Sequence, residues 1–249
     1  MEAFTIEIAG LAARVQPLFE TTQVYCRAYL TDKAPELMIE VTQQDLYRQQ
    51  HLLDLEADAE GLRRRVFTGP FLERMTIQQR LAEALLQRDT LLLHGSTVGV
   101  DGQAYLFTAT CGTGKSTHTR LWRQVFGQRA VMVNDDKPFL QLTEGAVLTH
   151  GSPFSGKHGL DTNICLPLKG ICILHRGKEN EIRPIKPEKA LDMLRHQTYV
   201  PEDGALREKA LELVRALAQK VPLWELSCNK APQAALVSYE AMSGKGSLG

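Results

Sequence analysis

The stretch Thr108-Ala109-Thr110-Cys111-Gly112-Thr113-Gly114-Lys115-Ser116-Thr117 decides how this chain is read. Before it, Ala104-Tyr105-Leu106-Phe107 is a short apolar run suited to a buried strand. After it, Leu121, Trp122, Val125 and Phe126 fall on one helical face. Strand, glycine turn and helix in that order aim a helix N-terminus, with its unpaired N–H groups, at an anion. The stretch therefore reads as a phosphate-binding loop. Backbone amides of Cys111, Gly112, Thr113, Gly114, Ser116 and Thr117 would wrap a phosphate. Lys115 would neutralise the β- and γ-phosphates, and the Ser116 hydroxyl would ligate Mg²⁺.

The usual spacing is G-x-x-x-x-G-K-S/T, and Ala109 stands where the first glycine is expected. Alanine is the smallest replacement, but it disfavours a positive φ. A second segment, Gly151-Ser152-Pro153-Phe154-Ser155-Gly156-Lys157-His158, keeps both glycines at the same spacing. It ends in His158 instead of a hydroxyl residue, and Pro153 sits inside it. No amphipathic helical period comes after it, so it is read as a loop of another kind.

The chain has 249 residues, enough for one large domain or two small ones. Its hydrophobic fraction of 43% allows a sizeable core. A formal net charge of zero gives no overall basic field for nucleic acid, and Arg63-Arg64-Arg65 reads as a solvated face. No stretch approaches the ~20 apolar residues of a membrane span, and Glu2 with no long apolar run behind it does not fit a leader peptide. The five cysteines include no C-x-x-C pair and lack zinc-ligand spacing, which points to a reduced, cytoplasmic protein.

Residues 1–70 are expected to form a β-rich accessory region, with strands at Phe4–Ile8, Val24–Leu30 and Leu37–Val41. Residues 71–242 would form the nucleotide-binding core, and 243–249 a flexible tail. Within the core, Thr76–Arg88 is helical in pattern, and Thr90–Gly95 is a strand. Asp101-Gly102 should close a hairpin between Val98–Val100 and Ala104–Thr108. Ala130–Val133 and Ile171–Leu174 are further buried strands. Helices are expected after Pro187, around Leu206–Leu217, and over Gln233–Met242, with a strand at Leu223–Leu226.

Catalysis beyond binding needs a metal partner and a group to prepare the nucleophile. Asp135-Asp136 ends an apolar strand 19 residues after Ser116, where the chain should return to the sheet. One carboxylate there can hold the Mg²⁺ shell, and the other can accept a proton from an attacking hydroxyl. His94 also ends an apolar strand; spacing alone fits a hydrogen-bonded core histidine as well as a catalytic one.

Together, Leu93-His94-Gly95-Ser96, Tyr105-Leu106-Phe107, Gly112 to Thr117 and Val133-Asn134-Asp135-Asp136 resemble the HPr kinase/phosphorylase C-terminal catalytic domain, in the superfamily of phosphoenolpyruvate carboxykinase. The nearest likeness is to the shorter HPr-kinase-like proteins. Their Gly-x-Pro-x-x-Gly-Lys loop is similar to Gly151 to Lys157, their Pro-Leu-Lys segment to Leu166-Pro167-Leu168-Lys169, and their closing strand and Cys to Val221 to Cys228. The resemblance spans roughly Leu91 to Met242. It implies an α/β P-loop kinase core with C-terminal helices. It implies that Asp135 activates the hydroxyl, that Asp136 lies at the metal with His94 beside it, and that Lys157 reaches the transferring phosphoryl group.

Two departures mark this chain off. Thr117 stands where HPr kinases carry a glutamate, and their Glu-x-Arg-Gly-Leu-Gly signature is not found. The resemblance therefore lends no support to HPr as substrate or to phosphorolysis. The expectation is an ATP- and Mg²⁺-dependent kinase that phosphorylates a hydroxyl on a protein serine or a small molecule. The alternatives are a non-catalytic nucleotide-sensing module and a small-metabolite kinase. The sequence leaves assembly open, a homo-oligomer included.

Overall fold

The computed structural model describes residues 1–59, 61–156 and 158–244. The chain divides into two compact units, Met1–Leu85 and the part from Leu86 onward.

In the first unit, strands β1 (Phe4–Ile8) and β2 (Leu11–Gln16) pair antiparallel, and β3 (Leu37–Glu40) runs parallel to β2. The β1–β2 turn is made by Ala9 and Gly10, both at positive φ. Phe4, Ile6 and Ile8 alternate inward and are buried with Leu11, Ala13, Val15 and Ile39. Three helices accompany the sheet: α1 (Glu20–Tyr25), α2 (Gln43–Ala59) and α3 (Gly69–Leu86).

This unit is mixed, not β-rich. Val24–Leu30, expected as a strand, is the end of α1 followed by a 3₁₀ turn at Arg27–Tyr29. Burial explains the correction: Thr22, Cys26 and Tyr29 point inward at helical spacing, while Val24 and Leu30 are exposed. The unit also extends past residue 70, because α3 is tied into it. The fully buried Glu73 accepts hydrogen bonds from the Leu18 amide and the Thr22 hydroxyl. Arg80 bonds to the Glu40 carbonyl and, at 2.7 Å, to Asp45.

The second unit is built on a nine-stranded mixed sheet. Its strands are β4 (Thr90–Leu92), β5 (Ser96–Val100), β6 (Gln103–Thr108), β7 (Ala130–Asn134), β8 (Phe139–Leu142), β9 (Val147–His150), β10 (Cys165–Arg176), β11 (Glu181–Pro184) and β12 (Leu223–Cys228). The helices are α4 (Lys115–Phe126), α5 (Pro187–Gln197), α6 (Gly204–Lys220) and α7 (Gln233–Ser243). The expected hairpin is β5–β6, closed by Asp101 and Gly102 at φ 52° and 76°. Central strands β6, β10 and β12 are parallel; β5 and β11 flank them antiparallel, and β7, antiparallel to β5, runs in the same direction as the central three. The first three residues of the long β10 pair with β9, which joins β9, β8 and β4 to the sheet.

Side-chain alternation on the parallel strands makes two cores. Tyr105, Phe107, Cys172 and Leu174 pack with Trp122 and Phe126 of α4 and Tyr239 of α7. Leu106, Ile171 and Ile173 pack with Leu194 of α5 and Val214 and Leu217 of α6. The sheet is therefore covered by helices on both faces, as buried parallel strands require. The carboxyl ends of β6, β7, β10 and β12 share one edge, the edge where open α/β sheets place ligands. Residues 245–249, most of the expected tail, lie outside the described residues. Among the described residues no helix is long and apolar enough to cross a membrane.

Candidate functional site

β6 leads into the glycine turn and the turn into α4, in the order expected. Ala109 does not have a positive φ, so alanine carries no strain there. Its methyl group is fully buried in the core beside α4. The positive φ values fall on Gly112, at 73°, and Gly114, at 122°. A Cβ on Gly112 would meet nothing within 4 Å, so backbone geometry and not lack of space calls for glycine. Gly114 is the N-cap of α4, and no side chain caps it. The first-turn N–H groups, Ser116 and Thr117 among them, are thus not taken by a capping side chain. Cys111 and Ser116 are exposed at the rim. Thr113 is held by Thr110 through its amide and, at 2.9 Å, through its hydroxyl. Arg176, at the end of β10, donates to the Gly112 carbonyl.

The Lys115 ammonium arches back over the turn to the Ala109 carbonyl, at 3.1 Å. Burial lowers its pKa and Lys137 adds to this, while Cys111, Asp136 and Asp135 oppose the shift. The lysine and both strand-end acids thus lie within one another's electrostatic reach.

Asn134 sets the acid pair. Its side-chain oxygen accepts the Asp136 and Lys137 amides at 2.8 and 2.6 Å, an Asx turn that ends β7. Its amide group donates to Ser152 at 2.9 and 3.1 Å. Asp135 is buried, and its Oδ1 accepts from the Ser96 hydroxyl at 2.7 Å. Ser96 in turn shares a 2.7 Å bond with Thr119 of α4. Among the described residues no hydrogen bond ends on Asp135 Oδ2. The chain Asp135–Ser96–Thr119 links the acid to the helix behind the glycine turn. It went unread in the sequence, where its members stand 39 and 23 positions apart. The one signal was a pair of hydroxyl residues, Ser96 at the start of an apolar strand and Thr119 on the apolar face of α4.

His94 Nε2 lies 3.2 Å from Asp136 Oδ1. Leu93 donates its amide to the Pro138 carbonyl and Gly95 to the Asp136 carbonyl, which brings this segment alongside the acids. Burial lowers the His94 pKa; Lys137 and Lys115 repel its cation, and Asp136 only partly compensates. Burial alone would raise Asp136, but the His94 hydrogen bond and the positive Lys137 and Lys115 outweigh it and hold the carboxyl below its ordinary range. A neutral imidazole donating its Nε2–H to a carboxylate satisfies both shifts.

Gly151–Gly156 and His158–Gly159 lie in a loop with no helix behind it, as read from the sequence. It packs on the acids: a Cβ on Gly156 would sit 3.6 Å from Asp136 Cβ and 4.0 Å from Asp135 Oδ2. Lys157, expected to act on the phosphoryl group, lies outside the described residues. The site thus brings together His94, Lys115, Asp135 and Asp136, with Ser116 on the first turn of α4. Among the described residues no group of three or more His, Cys, Asp or Glu is placed to hold a metal ion. Mg²⁺ carried by phosphates needs only one or two protein oxygens. The carboxylate of Asp136 and the exposed hydroxyl of Ser116 are donors of that kind.

The family described as "SynChlorMet cassette protein ScmC" matches residues 72–231, more than half of the sequence, and the chain belongs to that family. No curated protein matches it. Among solved structures, that of the Hpr(Ser) kinase/phosphatase from Coxiella burnetii is similar, at 12% identity and a TM-score of 0.37, over 62% of this chain and 99% of that one. A TM-score of that size carries no weight for function.

Proposed function

For this member of the ScmC family we propose a nucleotide-dependent phosphotransferase. The glycine turn would hold Mg²⁺–ATP by its phosphates, and the γ-phosphoryl group would pass to a hydroxyl of a serine-type or small-molecule acceptor. One observation supports this reading above the others: Lys115 of the turn and the Asp135–Asp136 pair act on one another electrostatically, with His94 bonded to Asp136. A turn that serves only as a connection has no need of a half-buried lysine facing two acids.

Asp136 and Ser116 would hold Mg²⁺, which would neutralise charge shared between the β- and γ-phosphates. As the acceptor oxygen bonds to phosphorus, its proton goes to Asp135; the bond from phosphorus to the bridging oxygen breaks, and ADP leaves. Lys115 and the turn amides spread the charge of the transition state. Ser96 holds one oxygen of Asp135 and leaves the other for the proton. His94 keeps Asp136 oriented and ionised. By resemblance, Lys157 is assigned to the transferring phosphoryl group.

Labelled ATP incubated with the protein and a cell extract, with protein then separated from small molecules, tests the proposal. Label should pass to a stable acceptor. Asp135→Asn should keep ATP binding and lose roughly 10²-fold or more in transfer. Equal transfer by Asp135→Asn would remove the base assignment. ATP binding without transfer to any acceptor would leave a sensing module.

A further inference from the structure

A cavity of about 540 Å³ opens beside the glycine turn, on the side of the β10 and β12 ends. Gly112, Thr113, Gly114 and Thr117 form one wall, so it is continuous with the turn. Leu121 of α4 and Leu174 of β10, both buried, supply apolar surface. Arg176 and Lys230 are exposed at its edge, and Arg176 is bonded to the Gly112 carbonyl. The volume lies within the ~300–1,000 Å³ of small-molecule sites.

A second observation points to a ligand. His118, only 2% exposed, is among the lining residues, and its Nδ1 has no hydrogen-bond partner. The other ring nitrogen is occupied: Nε2 lies 3.1 Å from Ser238 Oγ and 3.2 Å from Trp122 Nε1, whose N–H also reaches Ser238 Oγ at 2.9 Å. Burial keeps the ring neutral, so Nδ1 is a buried donor in one tautomer and a buried acceptor in the other, without a partner in either. A buried polar nitrogen left unmatched is costly, and a ligand hydroxyl or amine, able to donate or accept, would relieve it.

We infer that this cavity receives the nucleoside end of the triphosphate, with the base lying against Leu121 and Leu174 and His118 Nδ1 offered to a ribose hydroxyl or to a polar edge of the base. The inference rests on the phosphate reading of the turn. A triphosphate seated there must put its nucleoside in adjoining space. The acids of Asp135 and Asp136 stand toward the phosphates, and the cavity offers an apolar floor that phosphates would not use.

Calorimetric titration of the full chain with Mg²⁺–ATP and, separately, with inorganic tripolyphosphate tests it. Leu121→Trp, which adds a larger ring at the cavity wall, should weaken ATP roughly tenfold or more and leave tripolyphosphate within about twofold of the native value. Equal weakening of both ligands by a folded variant, or of neither, overturns the nucleoside assignment alone. Failure of both ligands to bind the native chain overturns the phosphate reading itself. The native chain gives an independent answer if the variant does not fold. Irradiation with an azido-purine ATP photoprobe should label residues 174–177 or 228–230, and label confined to other segments overturns the inference.

Discussion

Two loops of this chain follow the same G-x-x-x-x-G-K spacing, the first with Ala109 in place of its first glycine, and they use their glycines for different physical reasons. In the turn before α4, Gly112 and Gly114 are needed for positive φ, and the space around Gly112 is open. In the loop after β9, Gly151 has no positive φ but no room either. A Cβ there would lie 1.9 Å from the Thr162 carbonyl oxygen and 3.0 Å from that of Val133. The first loop ends in a helix whose first N–H groups have no capping side chain; the second ends in chain that returns to β10 and braces the acid pair. Glycine spacing alone does not separate the proposed anion cradle from a packing contact. The element into which each loop runs does.

The contrast can be broken by substitution. The largest effect is expected at Gly151. Gly151→Ala must displace backbone, and it should cost about 3 kcal/mol in denaturant unfolding. In the first loop, Gly112→Ala meets no atom and pays only for its left-handed backbone, about 1 kcal/mol. Ala109→Gly restores the usual motif yet removes a buried methyl from ordinary backbone. It should destabilise by about 1 kcal/mol and give no gain in ATP affinity. A gain in affinity would mean that the turn wants a glycine there after all.

The smallest effect at neutral pH is expected at His118, on the helix that follows the first loop, and it grows only on acidification. His118 is buried, and burial takes its pKa from 6.5 down to about 3. The unfolded chain therefore binds a proton below pH 6.5 that the folded chain refuses. The stability contribution is whole above pH 6.5 and is lost as pH falls toward 3, by up to ~1.4 kcal/mol per pH unit. His118→Gln should flatten that part of the stability profile.

Much of this was legible in the sequence because it is local. The β6–turn–α4 unit, the Asp101-Gly102 hairpin and the strand ending in Asp135-Asp136 each arise from a short run of residues. The first unit was harder to read. α2 buries only Leu46 and Gln49, so its apolar stripe is too thin to announce a helix. Val24–Leu30 is rich in aliphatic and aromatic residues that suit a strand, while its burial runs at helical spacing. Nor did the boundary near residue 70 foresee that α3 is held by Glu73 and Arg80. In the site, the link from Asp135 through Ser96 to Thr119 is a product of the fold, since it crosses from β7 to β5 to α4. The fit of Ala109 depended on a φ value that no sequence prints.

The central claim is that the first loop, and not the second, is an anion cradle with Lys115 as its cation. Calorimetric titration of Mg²⁺–ATP into the native chain and into Lys115→Ala tests it most directly. A saturable heat from the native chain that is lost in Lys115→Ala is the predicted result. The same isotherm from both, or no heat from the native chain, would contradict it.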